Sequence, residues 1–312
     1  MKTEFYEDNT KGILSYNKSP DIGFEVSLNP YRGCEHGCIY CFARPFHEYL
    51  GLSAGIDFET KIFVKMNAPV LLREELSAPS WEPQTVVMSG VTDCYQPFER
   101  KFGITRRCLE VFWEFRNPIA IITKNALVTR DIDILARMAE QNLARVNFSI
   151  TTLDPEIART MEPRASAPHR RLEAVKQLTS AGIPVNVMIA PIIPGLTDEE
   201  IPALTEAAAE AGAQTAAMMM VRLPYGVKHL FEDWLEQHQP LRKQKVLNKI
   251  RAMRGGKLNE PDFFKRRRPT GEYAEQMKKL FTLHAKKHGL DRDGSSLTTQ
   301  HFRRVTDQLQ LL

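Results

Sequence analysis

The 312-residue sequence predicts an α/β fold, and three observations carry that expectation. Short β-branched apolar runs recur at intervals of about 30 residues, amphipathic stretches of helical period fill the gaps, and glycines stand where two of those stretches need a left-handed cap. The strands are expected at 23–28, 85–89, 119–123, 146–150, 184–189 and 215–221. Between them the spacing predicts helices over 69–76, 104–115, 130–140, 172–181 and 198–210. Leu109, Phe112 and Trp113 share one face of the second helix, while Gly182 and Gly212 close the last two.

Six βα units are too few for a closed eight-fold barrel, which leaves an open doubly wound sheet or a barrel left partly open. Polar residues gather where the strands end: Thr92-Asp93, Thr123-Lys124, Ser149 with Thr151, and the turn from Pro191 to Gly195. In barrel-like folds ligands bind at that end. Turn formation and helix capping explain any one of these residues equally well.

After Pro224 the alternation stops. Leu230, Trp234 and Leu235, then Val246, Leu247 and Ile250, then Met277, Leu280 and Phe281 read as helices that pack on an open sheet edge. This divides the chain into an N-terminal extension (1–20), a core (21–225) and a C-terminal helical region (226–312), with a hinge at Arg254-Gly255-Gly256-Lys257 and a loosely held last twenty residues. Residues 241–312 hold 18 Lys/Arg against 7 Asp/Glu, so the tail is basic and the body acidic.

With 43% apolar and 26% charged residues, the chain is no collagen, disulfide scaffold or disordered polymer. No window approaches the run of about 20 apolar residues that a membrane helix needs. The start, Met1-Lys2-Thr3-Glu4-Phe5-Tyr6-Glu7-Asp8, carries acids where a secretory signal is basic and then greasy. A cytoplasmic protein without a membrane partner is expected.

Three of the five cysteines, Cys34, Cys38 and Cys41, fall within eight residues just after the first strand. In a reducing compartment such a cluster suggests metal. Three thiolates leave one coordination position open, as a reactive site requires, and Gly33 and Gly37 remove side chains beside the sulfurs so that backbone N–H groups can approach them. A zinc site completed by His36 or His47 competes with an iron–sulfur cluster. Cys108, on an amphipathic helix, reads as core.

The spacing Cys34-x3-Cys38-x2-Cys41, with Tyr40 before the last cysteine, resembles the signature of radical S-adenosylmethionine (radical SAM) enzymes. The resemblance spans roughly residues 20–225. It implies a partial (β/α)6 TIM-like barrel with the C-terminal helices as an extension, a [4Fe-4S] cluster on the three cysteines, and SAM chelated to a fourth iron. It further implies an electron donor of flavodoxin or ferredoxin type, reductive cleavage of SAM to a 5′-deoxyadenosyl radical, and hydrogen abstraction from a substrate. Asn29-Pro30-Tyr31-x-Gly33-Cys34, Thr92-Asp93-x-Tyr95-Gln96-Pro97-x-Glu99 and Glu162-Pro163-Arg164 look like the branch similar to spore photoproduct lyase. The lyase itself repairs a thymine dimer in spore DNA; the likeness fixes chemistry better than substrate, with damaged or modified nucleic acid as the candidate class.

Chemistry and the resemblance together nominate residues. Lys124 suits the SAM carboxylate, with Ser149 as a second donor; Thr92 and Asp93 offer oxygens to the ammonium and ribose. Tyr40 and the Ala190-Pro191-Ile192 turn would hold the adenine. Arg164 reaches the SAM carboxylate or a substrate phosphate, or forms a structural ion pair. Asp198-Glu199-Glu200 reads as dipole compensation and Met218, Met219 and Met220 as core. Where the lyase carries a hydrogen-donating cysteine, two positions before its equivalent of Thr92, this chain has Gly90, and Cys94 is the alternative donor. Lys265-Arg266-Arg267-Arg268, with Phe263, Phe264 and Tyr273, reads either as a DNA or RNA contact or as a solvated cationic surface paired with the acidic body.

Overall fold

The computed structural model describes residues 2–292, 294 and 296–305. Its strands are β1 (Glu4–Glu7), β2 (Leu14–Tyr16), β3 (Val26–Leu28), β4 (Tyr31–Arg32), β5 (Lys61–Val64), β6 (Val86–Met88), β7 (Ile119–Thr123), β8 (Ala144–Ser149), β9 (Val185–Ile192) and β10 (Thr215–Met220). The main sheet has seven strands in the order β10-β9-β8-β7-β6-β3-β2. All its pairings are parallel except β2 on β3.

That order settles what the sequence left open. From β3 to β10 the parallel strands follow chain order with no reversal, so every crossover steps the same way. A doubly wound sheet would reverse direction at a switch point. Within these strands β2 and β10 remain the two edges, and the result is a partial barrel.

The six expected strands and five expected helices are present with shifted ends, and the helix Ile104–Phe115 matches. Apolar outward residues such as Val146 and Phe148 are fully buried, whereas Arg145 and Asn147, which alternate with them, lie on the inner face and are only half-buried. A correction belongs here: Met218 and Met219 are likewise only half-buried and of the three only Met220 lies in the core.

Residues 2–20, expected as an extension, are woven into both sheets. β1 pairs with β5 in a small second sheet with β4, and β2 pairs with β3. The helix Val227–His238 and its neighbour Pro240–Ala252 bury Phe231, Trp234, Leu235, Val246 and Ile250 in the same cluster as Cys38 and Tyr40. At the β10 edge the backbone N–H of Ala216 donates to the Leu290 carbonyl, 2.9 Å away, which occupies part of an otherwise open edge. The expected hinge is anchored, because Arg254 is buried and donates to the Val221 carbonyl at 2.7 Å.

The last twenty residues, expected to be loose, are docked over 296–305. Thr298 donates to the Asn142 carbonyl at 3.0 Å and Arg303 to that of Phe115 at 2.9 Å, and the Arg304 guanidinium reaches the carbonyls of Ala78, Pro79 and Trp81. Residues 306–312 lie outside the described residues.

Candidate active site

The cysteine loop leaves the carboxyl end of β3, the first parallel strand, and is held by a residue set some sixty positions later in the chain. Asn29 Oδ1 accepts the backbone N–H groups of Val91 (2.9 Å) and Thr92 (3.3 Å). The Thr92 hydroxyl donates to the Tyr31 carbonyl at 2.8 Å, and the Tyr31 hydroxyl donates to buried Glu99. Gln96 accepts from the Glu35 N–H at 2.9 Å and donates to the Gly33 carbonyl at 3.3 Å. Two of the three motifs that carried the lyase-like resemblance therefore interlock as scaffold.

The loop glycines are fixed by crowding as well as by conformation. Gly33 has φ +80°, and a Cβ there would meet the Ile62 side chain at 2.9 Å and the Phe58 carbonyl at 3.0 Å. Gly37 has φ +65°, and its Cβ would fall 2.5 Å from Glu59 Oε2. Burial pushes the loop thiols up, and against it act backbone N–H groups that reach two of the sulfurs, that of Asp93 at Cys34 and those of Ala43 and Arg44 at Cys41, while the Cys34 N–H itself donates to the Phe58 carbonyl at 2.9 Å.

Arg44, which the sequence reading missed, wraps the loop from below. It is 1% exposed, donates to the carbonyls of Gly37 and Cys38 at 2.9 Å each, and pairs with Glu59 at 2.6 Å. The other Glu59 oxygen takes Arg164 at 2.8 Å, and Arg164 also donates to the Glu35 carbonyl. Arg164 thus forms the structural ion pair of the alternatives above. The available signal for Arg44 was a charged residue three positions past Cys41.

Glu162, from the third motif, accepts from the hydroxyls of Tyr40 and Thr151 and pairs with Arg171. Arg171 is 1% exposed and also donates to the Ser149 carbonyl at 3.0 Å. Burial works against the Glu162 carboxylate, but Arg171, Lys124 and the Tyr40 hydroxyl outweigh it and hold its pKa down at about 2. The Tyr40 hydroxyl is committed here, which leaves only its ring for an adenine.

Asp93 is likewise committed. It accepts from the Thr123 hydroxyl at 2.8 Å, the Lys124 N–H at 2.8 Å and the Tyr95 N–H at 2.9 Å, and it faces His36 Nδ1 at 3.4 Å. Lys124 extends from the end of β7 with its ammonium 5.8 Å from the centre of the Tyr40 ring, and its charge acts on Cys38, Cys41 and Glu162. Among the described residues it makes no ion pair with an acid. Ser149 ends β8, buried on the same side.

Two nominations are corrected by burial. Ile192 is fully buried within the main core and presents no face to a ligand, so the apolar contact falls to half-buried Pro191. Cys94 is also fully buried in that core, and burial followed by Asp93 pushes its thiol well above the usual range. It is a packed core thiol, out of reach as a hydrogen donor. Gly90 offers no substitute position, because a Cβ there would lie 3.1 Å from that of Ser27.

All three loop thiols are free. Burial pushes each of them up, Cys38 to about 12, so loading metal means displacing protons. The two histidines that could complete a zinc site are occupied: His36 lies against Asp93 and Asn125, and His47 Nε2 against the Lys61 carbonyl at 3.0 Å. Among the described residues no three His, Cys, Asp or Glu side chains converge on a single ion. In a multi-iron cluster each thiolate takes a different iron, so three thiols spread along a buried loop fit that group.

A singly wound partial barrel whose first strand leads into three free thiols, with the Lys124 ammonium near the Tyr40 ring, has the form of an iron–sulfur enzyme working at the carboxyl ends of its strands. Comparison with known proteins takes this one step further. The family model of the radical SAM superfamily matches residues 28–208, and the chain belongs to that superfamily. Membership brings SAM and an iron–sulfur cluster as cofactors. An uncharacterized protein of Mycobacterium tuberculosis is 36% identical over 241 residues, covering 76% of this chain and 70% of that protein. Another, from Methanocaldococcus jannaschii, is 29% identical over 199 residues, covering 64% and 71%. Spore photoproduct lyase complexed with dinucleoside spore photoproduct has a similar fold, with a TM-score of 0.61 at 14% identity over 91% of this chain and 79% of that one. No helix among the described residues is long and apolar enough to cross a membrane.

Proposed function

We propose that this chain is a cytoplasmic radical SAM enzyme that holds a [4Fe-4S] cluster on Cys34, Cys38 and Cys41 and abstracts hydrogen from a nucleic-acid substrate. The observation that carries the reading is the triad of free thiols, Cys34 and Cys38 buried and Cys41 half-buried, on a loop clamped by Arg44, Glu59 and Gln96. When bound, the cluster and SAM supply one electron and a 5′-deoxyadenosyl radical.

The chain's own residues have separable tasks. Lys124, which makes no direct ion pair among the described residues, holds the carboxylate of SAM, and Ser149 adds a hydrogen bond. The Tyr40 ring and Pro191 flank the adenine. Thr92, whose hydroxyl proton is committed, keeps its oxygen as an acceptor; Asp93 acts through Lys124 and His36, whose positions it fixes. Arg44 and Glu162 keep the loop in place before any cofactor arrives. A flavodoxin- or ferredoxin-type donor supplies the electron.

A nucleic-acid substrate is supported by the C-terminal segment. Phe263 and Phe264 are 45% and 69% exposed and line, with Arg267, Arg268, Pro20 and Asp21, a cavity of about 230 Å³. Aromatic faces beside guanidinium groups suit bases and phosphates together. Arg266 is withdrawn from that role by its pairing with Asp21 at 2.5 Å.

The test is anaerobic reconstitution with iron and sulfide. A brown protein that converts SAM to 5′-deoxyadenosine under reduction, with activity lost in each of Cys34→Ala, Cys38→Ala and Cys41→Ala but kept in Cys108→Ala, is the expected result. A colourless protein holding stoichiometric zinc would sink it.

A further inference from the structure

At the opposite end of the barrel from the cysteine loop, the amino ends of β8, β9 and β10 surround a cavity of about 250 Å³. Arg145, Asn147, Asn186, Gln214, Thr215 and Arg292 line it, and among the described residues its lining includes no carboxylate. Arg145 and Asn147 point inward because their neighbours Ala144, Val146 and Phe148 fill the outer core.

The polar groups have a common sense. The Thr215 hydroxyl donates to Asn186 Oδ1 at 2.9 Å, Asn186 Nδ2 donates to Asn147 Oδ1 at 3.1 Å, and Asn147 Nδ2 donates to the Ile121 carbonyl at 3.1 Å. Each side-chain carbonyl oxygen of this ladder is already taken by a donor, and each amide keeps one N–H. Arg145 Nε is buried without a hydrogen-bond partner, and among the described residues neither Arg145 nor Arg292 is ion-paired. A buried donor left unmade is costly, more so on a charged group. Spare N–H groups and two guanidinium forks, with no acid among the described lining residues, describe a site suited to an oxyanion.

We propose that this cavity binds a phosphate group, presented by a small phosphomonoester or as inorganic phosphate, at a site separate from the radical centre. Guanidinium forks meet phosphate oxygens in bidentate fashion, and the amide N–H groups supply further donors. The volume lies at or below the lower end of the usual range for ligand pockets, roughly 300–1,000 Å³, which limits the occupant to a small molecule.

The test uses full-length protein at constant ionic strength, with thermal unfolding and calorimetry against phosphate, ribose 5-phosphate and chloride. Saturable stabilisation by phosphate or the phosphomonoester, absent with chloride, is expected. Tenfold tighter binding of the ester would assign the site to phosphomonoesters, and equal affinity to phosphate itself. Arg145→Gln and Arg292→Gln should each weaken binding at least tenfold without altering the iron content of the reconstituted protein. Arg292 is exposed, so its variant stays informative even if Arg145→Gln fails to fold. No saturable binding, binding equalled by chloride, or binding that survives Arg292→Gln undiminished would overturn the proposal, whatever the outcome of cluster reconstitution.

Discussion

Around the cysteine loop Arg44 and Arg164 share the two oxygens of Glu59, and Arg171 pairs with Glu162. In the C-terminal cap, Arg222, Arg254, Arg266 and Arg267 crowd together, and among the described residues Asp21 is the only carboxylate in ion-pair contact with any of them. Burial, then Arg266, holds the Arg222 pKa down to about 10, and the Nε atoms of Arg222 and Arg254 are buried without partners. The same side chain thus builds two kinds of region. Where every arginine is paired with a carboxylate it fixes a loop's shape, and where several have none they retain capacity for a ligand anion.

The sharpest way to break this comparison is to unmatch the first region. Glu162→Ala leaves Arg171 buried and unpaired and takes the acceptor from Tyr40, so stability should fall by about 3–5 kcal/mol, read from urea unfolding midpoints. The pH dependence has a defined sign. The folded Glu162 pKa, about 2, lies below an unfolded value near 4.3, so its stabilisation is present above that unfolded value and is lost as pH falls toward 2. Unchanged stability in the variant, or a wild type indifferent to acid, would show that the network is not a structural lock.

Within the matched region Lys124 is the exception, and the reading assigns its missing partner to SAM. Lys124→Ala should lower SAM affinity by about 1.5–3 kcal/mol in equilibrium binding while the iron content stays at the wild-type level. Loss of iron would instead make Lys124 part of the scaffold.

In the cap the corresponding experiment should have two opposed readouts. Asp21→Ala removes the bidentate partner of Arg266 and should cost about 1.5–3 kcal/mol of stability, the lower end being favoured because Arg266 can reach solvent. The freed charge should also tighten binding to an oligonucleotide. Weaker binding would mean that Asp21 shapes the contact instead of competing with it. A finer effect separates the arginines. Replacing Arg267 and Arg268 by Gln should flatten the salt dependence of DNA binding by up to about 0.9 per lost phosphate contact, judged by the slope of log affinity on log salt.

Both regions show what a sequence can carry. Periodicity located all six parallel strands, because outward positions are consistently apolar, and spacing alone located the thiols. The roles of motif residues were not legible, since Gln96 meets Glu35 and Gly33 across more than sixty positions, and only the folded chain brings them together. Burial was the other hidden quantity. Nothing local distinguishes Cys94, sealed in the core, from a thiol facing a ligand, or Ile192 from Pro191 beside it. Asp93, at a strand end, and Arg164, past a helix, were read as candidate ligand contacts, yet both hold the loops that frame the site.

The smallest expected effect is none at all. Although the fold resembles that of spore photoproduct lyase, the reconstituted enzyme should not convert spore photoproduct in an oligonucleotide to two thymines. By the resemblance, that reaction needs a cysteine two positions before Thr92 to return a hydrogen atom to the product radical. Here the position is Gly90, packed so closely on Ser27 and Phe24 that an added Cβ would already be crowded at 3.1 Å and 3.4 Å. Cys94 lies fully buried, its N–H bonded to the Ser89 hydroxyl oxygen at 2.7 Å and its carbonyl to the Thr105 hydroxyl at 2.7 Å, so the backbone holds it in the core. Supplying SAM, a reductant and the damaged oligonucleotide should therefore yield 5′-deoxyadenosine without repair. Efficient formation of thymine by the wild type, abolished in Cys94→Ala, would show that the loop opens to expose that thiol. Formation unaffected by Cys94→Ala would place the donor elsewhere. Either result would end the contrast with the lyase drawn from Gly90.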